Sequence, residues 1–442
     1  MRRLARPRDT VAHPGSTSNI RVRRSRAYLA LAVVCVAPRL VVLLHERDAI
    51  TASFTEKSDT IARMFLDHGT FGFVPGEPSA YTQPLYAWFL IPIYWAAGAN
   101  WWSVGPVQIV VAVLTTWLVY EIGRRLMGSW AGIAAAAIAT LNPYLVWHDV
   151  HVNREIVDQL VAAALVLLTL VVVDRPTPLR AVALGVVSGI SMLGNTRLVF
   201  LPILCAAYVA WRLPRARATA LVAGLVLAGA AVAVVPWLVR NEVSVGCFAL
   251  TTDGRAMWKA NNPLTHHLLE SGQWIDNVGP NAPRPPEPGH VTPEEANGIW
   301  LSKGRILHPD ECLEMRYYEH LAFRYWREHP GGKARLMVLS AKLLWQPNAL
   351  ETANRNGAGG QLDVGRRVIE PAYMWALYVL AAIGLFVAPR PFVVLALLLL
   401  AYQTAAALAF VGATRYRVAW DFLLALLAAA ALKAIVGRVR AR

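Results

Sequence analysis

Residues 54–69 read FTEKSDTIARMFLDHG, and this segment follows one apolar run and precedes many more. From residue 58 to residue 68 apolar and polar side chains alternate at helical spacing, and Gly69 ends the pattern, which predicts a short helix. Glu56 and Asp59 stand three positions apart, so on a helix they would share one face. Two carboxylates held against a bilayer are costly unless they are paired or used. This segment is therefore the first candidate for a functional site.

The chain as a whole is strongly apolar. Of its 442 residues, 56% are hydrophobic and only 16% are charged, whereas soluble domains carry about 45–50% apolar and about 25% charged residues. Apolar runs long enough to cross a bilayer recur along the sequence. We count ten predicted membrane spans, at residues 27–44, 104–123, 131–147, 155–173, 179–193, 197–211, 219–239, 369–388, 391–411 and 417–436. The composition predicts an all-α polytopic membrane protein.

Arginine is concentrated in every second loop of this topology. Eight of the first 26 residues are arginine, and the basic residues of the later short loops and of the C-terminal tail fall on the same side. Basic loops favour the cytoplasmic face. We therefore predict a multi-pass protein of the plasma membrane with both termini in the cytoplasm. The net charge of +15 follows this topology rather than one surface, which argues against nucleic-acid binding.

The predicted topology also divides the chain into parts. They are a disordered basic tail (1–26), a module of seven membrane helices (27–239) that contains a first extracytoplasmic loop (45–103), a long extracytoplasmic loop region (240–368), and three further membrane helices with a basic tail (369–442). The apolar segments 84–97 and 334–346 are too short to cross a bilayer. We expect both to be helices that lie at the membrane interface.

Polar residues of chemical interest are found at span ends on the predicted outer side. They are Glu56, Asp59, Gln83, Asp149, His151, Arg154, Glu155, Asn195, Arg197, Arg240, Asn241, Arg415 and Arg417. Arginines can hold a phosphate group through charge-assisted hydrogen bonds, and a carboxylate can take a proton from a hydroxyl group. An enzyme that acts on a lipid phosphate needs this combination. Any single arginine could equally anchor a helix at the interface, as we expect for Arg39.

Asp149, His151 and Glu155 are residue types that bind metal ions. On a helix His151 and Glu155 would share one face, so a divalent metal at Asp149 and His151 is one interpretation. The other is a helix N-terminus whose dipole favours the two acids. No cofactor is otherwise predicted, because the sequence has no Gly-rich phosphate loop and no nucleophile elbow.

The long loop region contains two of the four cysteines, Cys247 and Cys312. A disulfide would persist there if the region lies outside the cytoplasm. Two unrelated thiols are the alternative, since the bond requires Cα atoms within about 7 Å.

Several stretches resemble a known family. In chain order they are Ile61-Ala62-Arg63, Pro84-Leu85-Tyr86, residues 123–128 (GRRLMG), Asn142-Pro143, Arg154-Glu155-Ile156, Thr196-Arg197, residues 236–241 (PWLVRN), Asn261-Asn262-Pro263 and Arg415-Tyr416-Arg417. This ordered set, spread over residues 27–437, resembles the GT-C membrane glycosyltransferases. The likeness is to the dolichyl-phosphate-mannose protein mannosyltransferase-like group (glycosyltransferase family 39-like), which includes lipid A aminoarabinose transferases.

The resemblance implies a GT-C-like fold and an inverting glycosyltransferase. Such an enzyme takes a sugar from a polyprenyl-phosphate-sugar donor and delivers it to a hydroxyl group of a cell-envelope glycan, lipid or protein on the extracytoplasmic face. The donor is activated by its phosphate, so no nucleotide is expected.

The resemblance also implies roles for individual residues. An acid in the first loop is the expected base, and Glu56 is nearer its expected position than Asp59. Gln83 stands where members of the group often have a lysine that touches the donor phosphate. Another cation, such as Arg240 or Arg417, would then make that contact. The predicted substrate-binding residues are Arg154, Glu155, Arg197, Arg240, Asn241, Gln83, Tyr86, Arg415 and Arg417.

Two other functions are compatible with this pattern. A flippase or transporter of lipid-linked sugars should place its charged residues near the bilayer midplane, whereas here they stand at span ends. A non-catalytic subunit of a polysaccharide assembly complex is the other alternative. The position of the charges favours the transferase over the transporter.

Overall fold

A computed structural model describes residues 15–47, 49–52, 57–214, 216–286, 290–347 and 365–440. The α-helices span Gly15–Glu46, Ala49–Ala52, Lys57–His68, Pro84–Ala97, Trp101–Met127, Ser129–Thr140, Pro143–His148, Glu155–Asp174, Pro178–Gly194, Leu201–Arg212, Ala216–Val245, Gly254–Ala260, Thr265–Glu270, Pro293–Lys303, Glu311–Glu328, Pro330–Trp345, Glu370–Val387, Arg390–Ala409, Thr414–Val418 and Asp421–Arg440. Short 3-10 turns occur at Thr196–Leu198 and Ile275–Asn281, and a π-helical turn at Gly365–Ile369. Two short strands, Gly72–Val74 and Glu77–Pro78, pair in an antiparallel hairpin.

The fold is all-α and polytopic, as predicted. Within the described ranges seven helices are long and apolar enough to cross a membrane, and they match seven of the ten predicted spans. They are Arg24–Glu46, Trp101–Met127, Glu155–Asp174, Thr219–Val245, Arg367–Val387, Arg390–Ala409 and Asp421–Arg440. The other three predicted spans are shorter helices, Ser129–Thr140, Pro178–Gly194 and Leu201–Arg212. The first of these ends early because Asn142 accepts a hydrogen bond from Tyr144 N and starts a separate helix with Pro143 at its first position.

The N-terminal segment differs from the prediction. Residues 15–26, expected to be disordered, continue the first membrane helix, while residues 1–14 lie outside the described ranges. Arg24 donates to Glu121 Oε1 at 2.7 Å, and the Tyr28 hydroxyl donates to the same oxygen at 2.6 Å. These bonds join the helix to Trp101–Met127.

The membrane helices form one bundle around the C-terminal helix. Every side chain from Asp421 to Ala431 is buried. This helix packs against Glu370–Val387 and Ser129–Thr140. Lys433 Nζ donates to Met127 O at 2.7 Å, so the C-terminal half of the helix lies at the same bundle end as Glu121. The loops that carry the polar candidates lie at the opposite end.

At that opposite end the first loop contains the predicted short helices, Lys57–His68 and Pro84–Ala97, joined by the hairpin. Gly72 is required in the hairpin because a Cβ atom there would lie 2.1 Å from Glu77 O. Residues 334–346, predicted to be a short helix, lie in Pro330–Trp345 apart from the last residue.

The first loop and the 240–368 region pack against each other. The Glu311 carboxylate accepts from Ala80 N at 2.9 Å and from Thr252 Oγ1 at 2.6 Å. Cys247 and Cys312 form a disulfide with their Cα atoms 5.6 Å apart. Of the two possibilities that the sequence left open, the bond is therefore the one found. It joins the end of Ala216–Val245 to the start of Glu311–Glu328.

Candidate functional site: a charged cavity at one end of the bundle

A cavity of about 820 Å³ lies between the first loop, the 240–368 region and the ends of several membrane helices. Its charged and amide-bearing lining residues are Lys57, Gln83, Arg154, Asn195, Arg197, Asp253, Lys259, Asp276, Glu294, Glu319 and Arg415. Five of these, Gln83, Arg154, Asn195, Arg197 and Arg415, are among the polar candidates predicted from the sequence. The prediction thus identified one wall of the cavity.

That wall contains three arginines from three separate elements. Arg154 is the residue before Glu155–Asp174, Arg197 lies in the turn Thr196–Leu198, and Arg415 lies in the short helix Thr414–Val418. Each side chain therefore stands where a helix begins or ends, at the margin of the bundle. We refer to Arg154, Arg197 and Arg415 as the arginine wall.

Neighbouring groups orient the three guanidinium groups. Arg154 Nη1 donates to Gln83 Oε1 at 2.8 Å, and Arg415 Nε donates to Glu155 Oε1 at 2.7 Å. The Arg197 guanidinium carbon lies 3.5 Å from the centre of the Tyr416 ring. Glu155 is thus placed behind the arginine wall, where it holds Arg415.

The arginine wall is an electrostatically crowded site. Burial lowers the pKa of Arg197 from its ordinary value, and the charges of Arg154 and Arg415 lower it further, although Tyr416 acts in the opposite direction. Three like charges that approach one another at a partly buried site would be stabilised by an anion. The wall is suited to a phosphate group.

The first loop and the 240–368 region form the other part of the cavity lining, with Lys57, Asp253, Lys259, Asp276 and Glu294, and we refer to it as the facing wall. It is built from ion pairs that the sequence did not predict. Lys57 Nζ lies 2.8 Å from Asp253 Oδ2 and 3.7 Å from Glu294 Oε1. Burial disfavours the charge on Lys57, but these two carboxylates outweigh it and raise the lysine pKa. Lys259 Nζ lies 2.9 Å from Asp276 Oδ1. One local signal existed in the sequence, since Asp253 precedes Gly254–Ala260 and caps it by accepting from Ala256 N.

A buried acid lies behind this wall. Glu314 is fully buried, and neither carboxylate oxygen has a hydrogen-bond partner among the described residues. His290 Nε2 lies 4.0 Å from its Oε2. Burial, together with the charge of Asp253, raises the pKa of Glu314 to about 8, against the opposing effect of Arg255.

The two predicted catalytic acids have different outcomes. Glu56 lies outside the described residues, next to Lys57 in the sequence. Asp59 is buried and does not line the cavity. Its carboxylate accepts from the Tyr94 hydroxyl at 2.5 Å and from Arg63 Nε at 2.9 Å. The predicted shared face of the two acids stays a prediction, because Glu56 is not described; Asp59 lies in the helix that begins at Lys57 and points toward Tyr94.

Arg240 and Asn241, predicted to bind substrate, instead hold loops in place. Arg240 donates to Ser79 O at 2.8 Å and to Phe71 O at 3.1 Å, and Asn241 Nδ2 donates to Ala249 O at 2.8 Å. Neither residue lines the cavity. Their position at the end of a long helix places them among backbone carbonyls of the first loop and of the segment that follows the helix.

Tyr86 and Arg417 also lie away from the cavity. Tyr86 is buried, and its hydroxyl donates to Gln108 Oε1 at 2.7 Å. Arg417 is 1% exposed, donates to Asp421 Oδ1 at 2.9 Å, and donates to the carbonyl oxygens of Leu344 and Gln346. Two positions along a helix separate Arg417 from Arg415, so the two side chains point in different directions.

Asp149 and His151, the candidate metal ligands, make other contacts. Asp149 Oδ2 accepts from Arg39 at 2.7 Å, and its Oδ1 accepts from Gln159 at 3.0 Å. Arg39 is 1% exposed, so the expectation that it reaches the interface was wrong. His151 Nδ1 lies 2.8 Å from Trp147 O. Within the described ranges no three His, Cys, Asp or Glu side chains come together as metal ligands.

Comparison with known proteins supports the assignment of the fold. Residues 77–239 match the family dolichyl-phosphate-mannose-protein mannosyltransferase. The archaeal oligosaccharyltransferase AglB from Archaeoglobus fulgidus, in complex with an inhibitory peptide and a dolichol-phosphate, superimposes with a TM-score of 0.53 at 12% identity, over 94% of this chain and 50% of AglB. ArnT from Cupriavidus metallidurans, bound to undecaprenyl phosphate, gives a TM-score of 0.43 at 16% identity, over 90% of this chain and 77% of ArnT.

The coverage and the sequence identity of these matches determine which conclusions they support. The chain spans about half the length of AglB, and at 12% identity the likeness concerns the fold. No curated protein sequence matches the chain. The chain is a polytopic membrane protein with a GT-C-like fold, and its predicted resemblance to the GT-C glycosyltransferases of the dolichyl-phosphate-mannose-protein mannosyltransferase family is confirmed.

Proposed function

We propose that this protein is an inverting membrane glycosyltransferase. It moves a sugar from a polyprenyl-phosphate-sugar donor to an acceptor hydroxyl group of a cell-envelope glycan, lipid or protein. The reaction takes place in the 820 Å³ cavity.

The observation that carries this proposal is the arginine wall. Arg154, Arg197 and Arg415 come from distant parts of the chain and converge on one side of the cavity, at the ends of membrane helices. A lipid phosphate has its charged group at this level and its tail in the bilayer. Guanidinium groups bind phosphate oxygens through paired hydrogen bonds, so the wall would hold the donor at its phosphate.

The same wall would assist the chemical step. The acceptor oxygen attacks the anomeric carbon and forms the new glycosidic bond, while the bond from that carbon to the phosphate oxygen breaks. The electron pair of the broken bond stays on the polyprenyl phosphate, whose added negative charge the arginines stabilise. The acceptor proton passes to a carboxylate. Attack from the side opposite the leaving phosphate inverts the anomeric configuration.

Glu56 is the proposed base. Its neighbour in the sequence, Lys57, lines the cavity and pairs with Asp253. Asp253 is the alternative base because it lines the same cavity, but its carboxylate already accepts from Lys57 and from Ala256 N. The proposed reaction needs no nucleotide, since the phosphate activates the sugar, and three guanidinium groups supply positive charge at the donor.

We place the cavity on the extracytoplasmic side of the plasma membrane and both termini in the cytoplasm. The opposite bundle end carries Arg24, Arg124 and Arg125, and basic residues favour the cytoplasmic face. In intact cells a membrane-impermeant maleimide should label the exposed position 302 in a Ser302→Cys variant and should miss position 175 in an Arg175→Cys variant. The reverse labelling pattern would contradict this orientation.

Binding of tritiated undecaprenyl phosphate to the purified protein tests the phosphate site. Arg197→Ala should weaken binding by about 10- to 100-fold, because hydrogen bonds to charged groups contribute about 1.5–3 kcal/mol. Arg197→Lys should restore only part of the affinity, since lysine lacks the planar fork. Arg212→Ala is the matched control, because Arg212 is exposed and does not line the cavity. Equal affinities for the wild type and Arg197→Ala would show that the arginine wall does not bind the donor phosphate.

A further inference from the structure

A second polar cavity, of about 420 Å³, adjoins the first. Both cavities are lined by Lys259, Asp276 and Glu294, so these three side chains form the partition between them. The other polar lining residues of the second cavity are Arg255, Arg284, His290, Thr292, Glu295 and Tyr318. None of its lining residues belongs to the arginine wall.

Charge distinguishes the second cavity from the arginine wall of the first. The charged lining of the second cavity is balanced: Arg255, Lys259 and Arg284 stand beside Asp276, Glu294 and Glu295. Lys259 Nζ lies 2.9 Å from Asp276, and Arg284 Nη2 lies 3.4 Å from Glu295. The arginine wall of the first cavity has three guanidinium groups and one bonded carboxylate, Glu155. The arginine wall is thus suited to an anion, and the second cavity to a neutral polar molecule.

We propose that the second cavity binds the acceptor, and that the acceptor is a hydroxyl-rich molecule such as the sugar terminus of a glycan or glycolipid. This inference rests on the proposed function, since it assigns the second substrate of the same reaction. Hydroxyl groups both donate and accept hydrogen bonds, so they satisfy a lining of interspersed cations and carboxylates. An acyl chain would displace water from these charged groups without replacing its hydrogen bonds, which is costly.

The position of the partition explains how the two substrates would meet. Glu294 lines both cavities and lies 3.7 Å from Lys57 Nζ, while Lys57 lies 2.8 Å from Asp253 in the first cavity. A hydroxyl group that reaches past Glu294 from the second cavity therefore arrives beside Lys57. The donor phosphate would be held at the opposite wall of the first cavity, which leaves the sugar between the two.

Site-directed alkylation can separate the two cavities. Of the four cysteines, Cys35 and Cys205 are buried and Cys247 is bonded to Cys312, so a new exposed cysteine can be modified selectively. Arg284→Cys places a thiol on the second cavity, and a bulky maleimide attached there would fill it. Lys303→Cys, on the exposed end of the neighbouring helix Pro293–Lys303, is the matched control.

Two readouts are compared before and after alkylation of the full-length protein. The first is binding of tritiated undecaprenyl phosphate to purified protein. The second is transfer of label from polyprenyl-phosphate-linked hexoses and pentoses to the acceptors present in membrane vesicles of the expressing cells. Alkylated Arg284→Cys should keep its undecaprenyl phosphate affinity within about twofold and lose transfer by about tenfold or more. Alkylated Lys303→Cys should retain both.

The inference is overturned if alkylated Arg284→Cys transfers sugar as fast as the unmodified variant. It is also overturned if alkylation abolishes undecaprenyl phosphate binding, because the second cavity would then belong to the donor site. The proposed function fails differently: the wild type itself would then neither bind undecaprenyl phosphate nor transfer label, whatever the state of position 284.

Discussion

Lys57 Nζ lies 2.8 Å from Asp253 Oδ2, although 196 positions separate the two residues in the sequence. This ion pair joins the first loop to the 240–368 region at the lining of the charged cavity. It places the start of the helix Lys57–His68 at the cavity, while Asp59, two residues further on, turns into the protein interior. The first loop therefore contributes to both the site and the scaffold.

The two predicted acids should respond differently to neutralisation. Glu56→Gln should lower the turnover number by about 10²- to 10⁴-fold, the usual contribution of general acid–base catalysis. Undecaprenyl phosphate binding should survive, because the arginine wall is untouched. Steady-state kinetics with labelled donor, combined with the binding assay, measures both effects.

Asp59→Asn is the matched comparison in the same loop. It should lower thermal stability, because it weakens the bonds to Arg63 and Tyr94, and should leave the turnover number of the folded protein nearly unchanged. If Glu56→Gln keeps normal turnover while Asp253→Asn loses it, the base is Asp253 and the assignment of Glu56 is wrong.

Arginines outside the cavity should affect stability rather than substrate affinity. Arg417 is buried against Asp421, and removal of one partner of a buried ion pair costs about 3–5 kcal/mol. Arg417→Ala should therefore lower the unfolding temperature in detergent more than Arg197→Ala does. A stable Arg417→Ala variant with weakened undecaprenyl phosphate binding would show instead that Arg417 belongs to the donor site.

The long membrane helices and the short helices of the first loop could be predicted from the sequence, because apolar run length and helical periodicity are local properties. The arginine wall was predicted in part for a related reason, since charged residues at span ends are visible in the sequence. The direction in which each side chain points could not be predicted. Arg415 and Arg417 are two positions apart, and only the packing of Thr414–Val418 shows that the first lines the cavity.

The facing wall could not be predicted because it is made by contacts between distant segments. Lys57 and Glu294 are ordinary charged residues at helix starts, and the one local signal, the helix cap formed by Asp253, does not show that the three residues meet. Lys259 and Asp276 are 17 positions apart, and their pairing depends on how the 240–368 region folds. The same holds for Arg39 and Asp149, whose buried pairing spans 110 positions.

Glu314 should make the stability of the protein depend on pH. Its pKa is about 8 in the folded protein against an ordinary value of 4.5, so between these values the folded state holds a proton that the unfolded state has released. Stability should therefore fall as the pH rises from about 5 to 8. Glu314→Gln should be more stable than the wild type at pH 8 and should show a weaker decline. If the unfolding temperatures of the two proteins changed equally with pH across this range, Glu314 would not be the cause of the pH dependence.

The disulfide should stabilise the wall that faces the arginines. Cys247 and Cys312 are 65 positions apart, and closure of a loop of this length contributes about 4 kcal/mol in the chain-entropy model. The double substitution Cys247→Ser with Cys312→Ser should lower the unfolding temperature and weaken sugar transfer. Mass spectrometry of protein alkylated without reduction tests the bond itself: alkylation of both cysteines in the wild type would exclude it.

The proposed function requires that this protein cleave a polyprenyl-phosphate sugar and transfer the sugar with inversion. The most direct measurement uses purified protein in lipid vesicles with a panel of labelled undecaprenyl-phosphate sugars and a cell-envelope extract as the source of acceptor. We predict that one donor releases undecaprenyl phosphate in equal amount to the sugar transferred. The new glycosidic bond should have the opposite anomeric configuration to the donor. Movement of intact donor across the bilayer without cleavage would contradict the proposed function and favour a transporter.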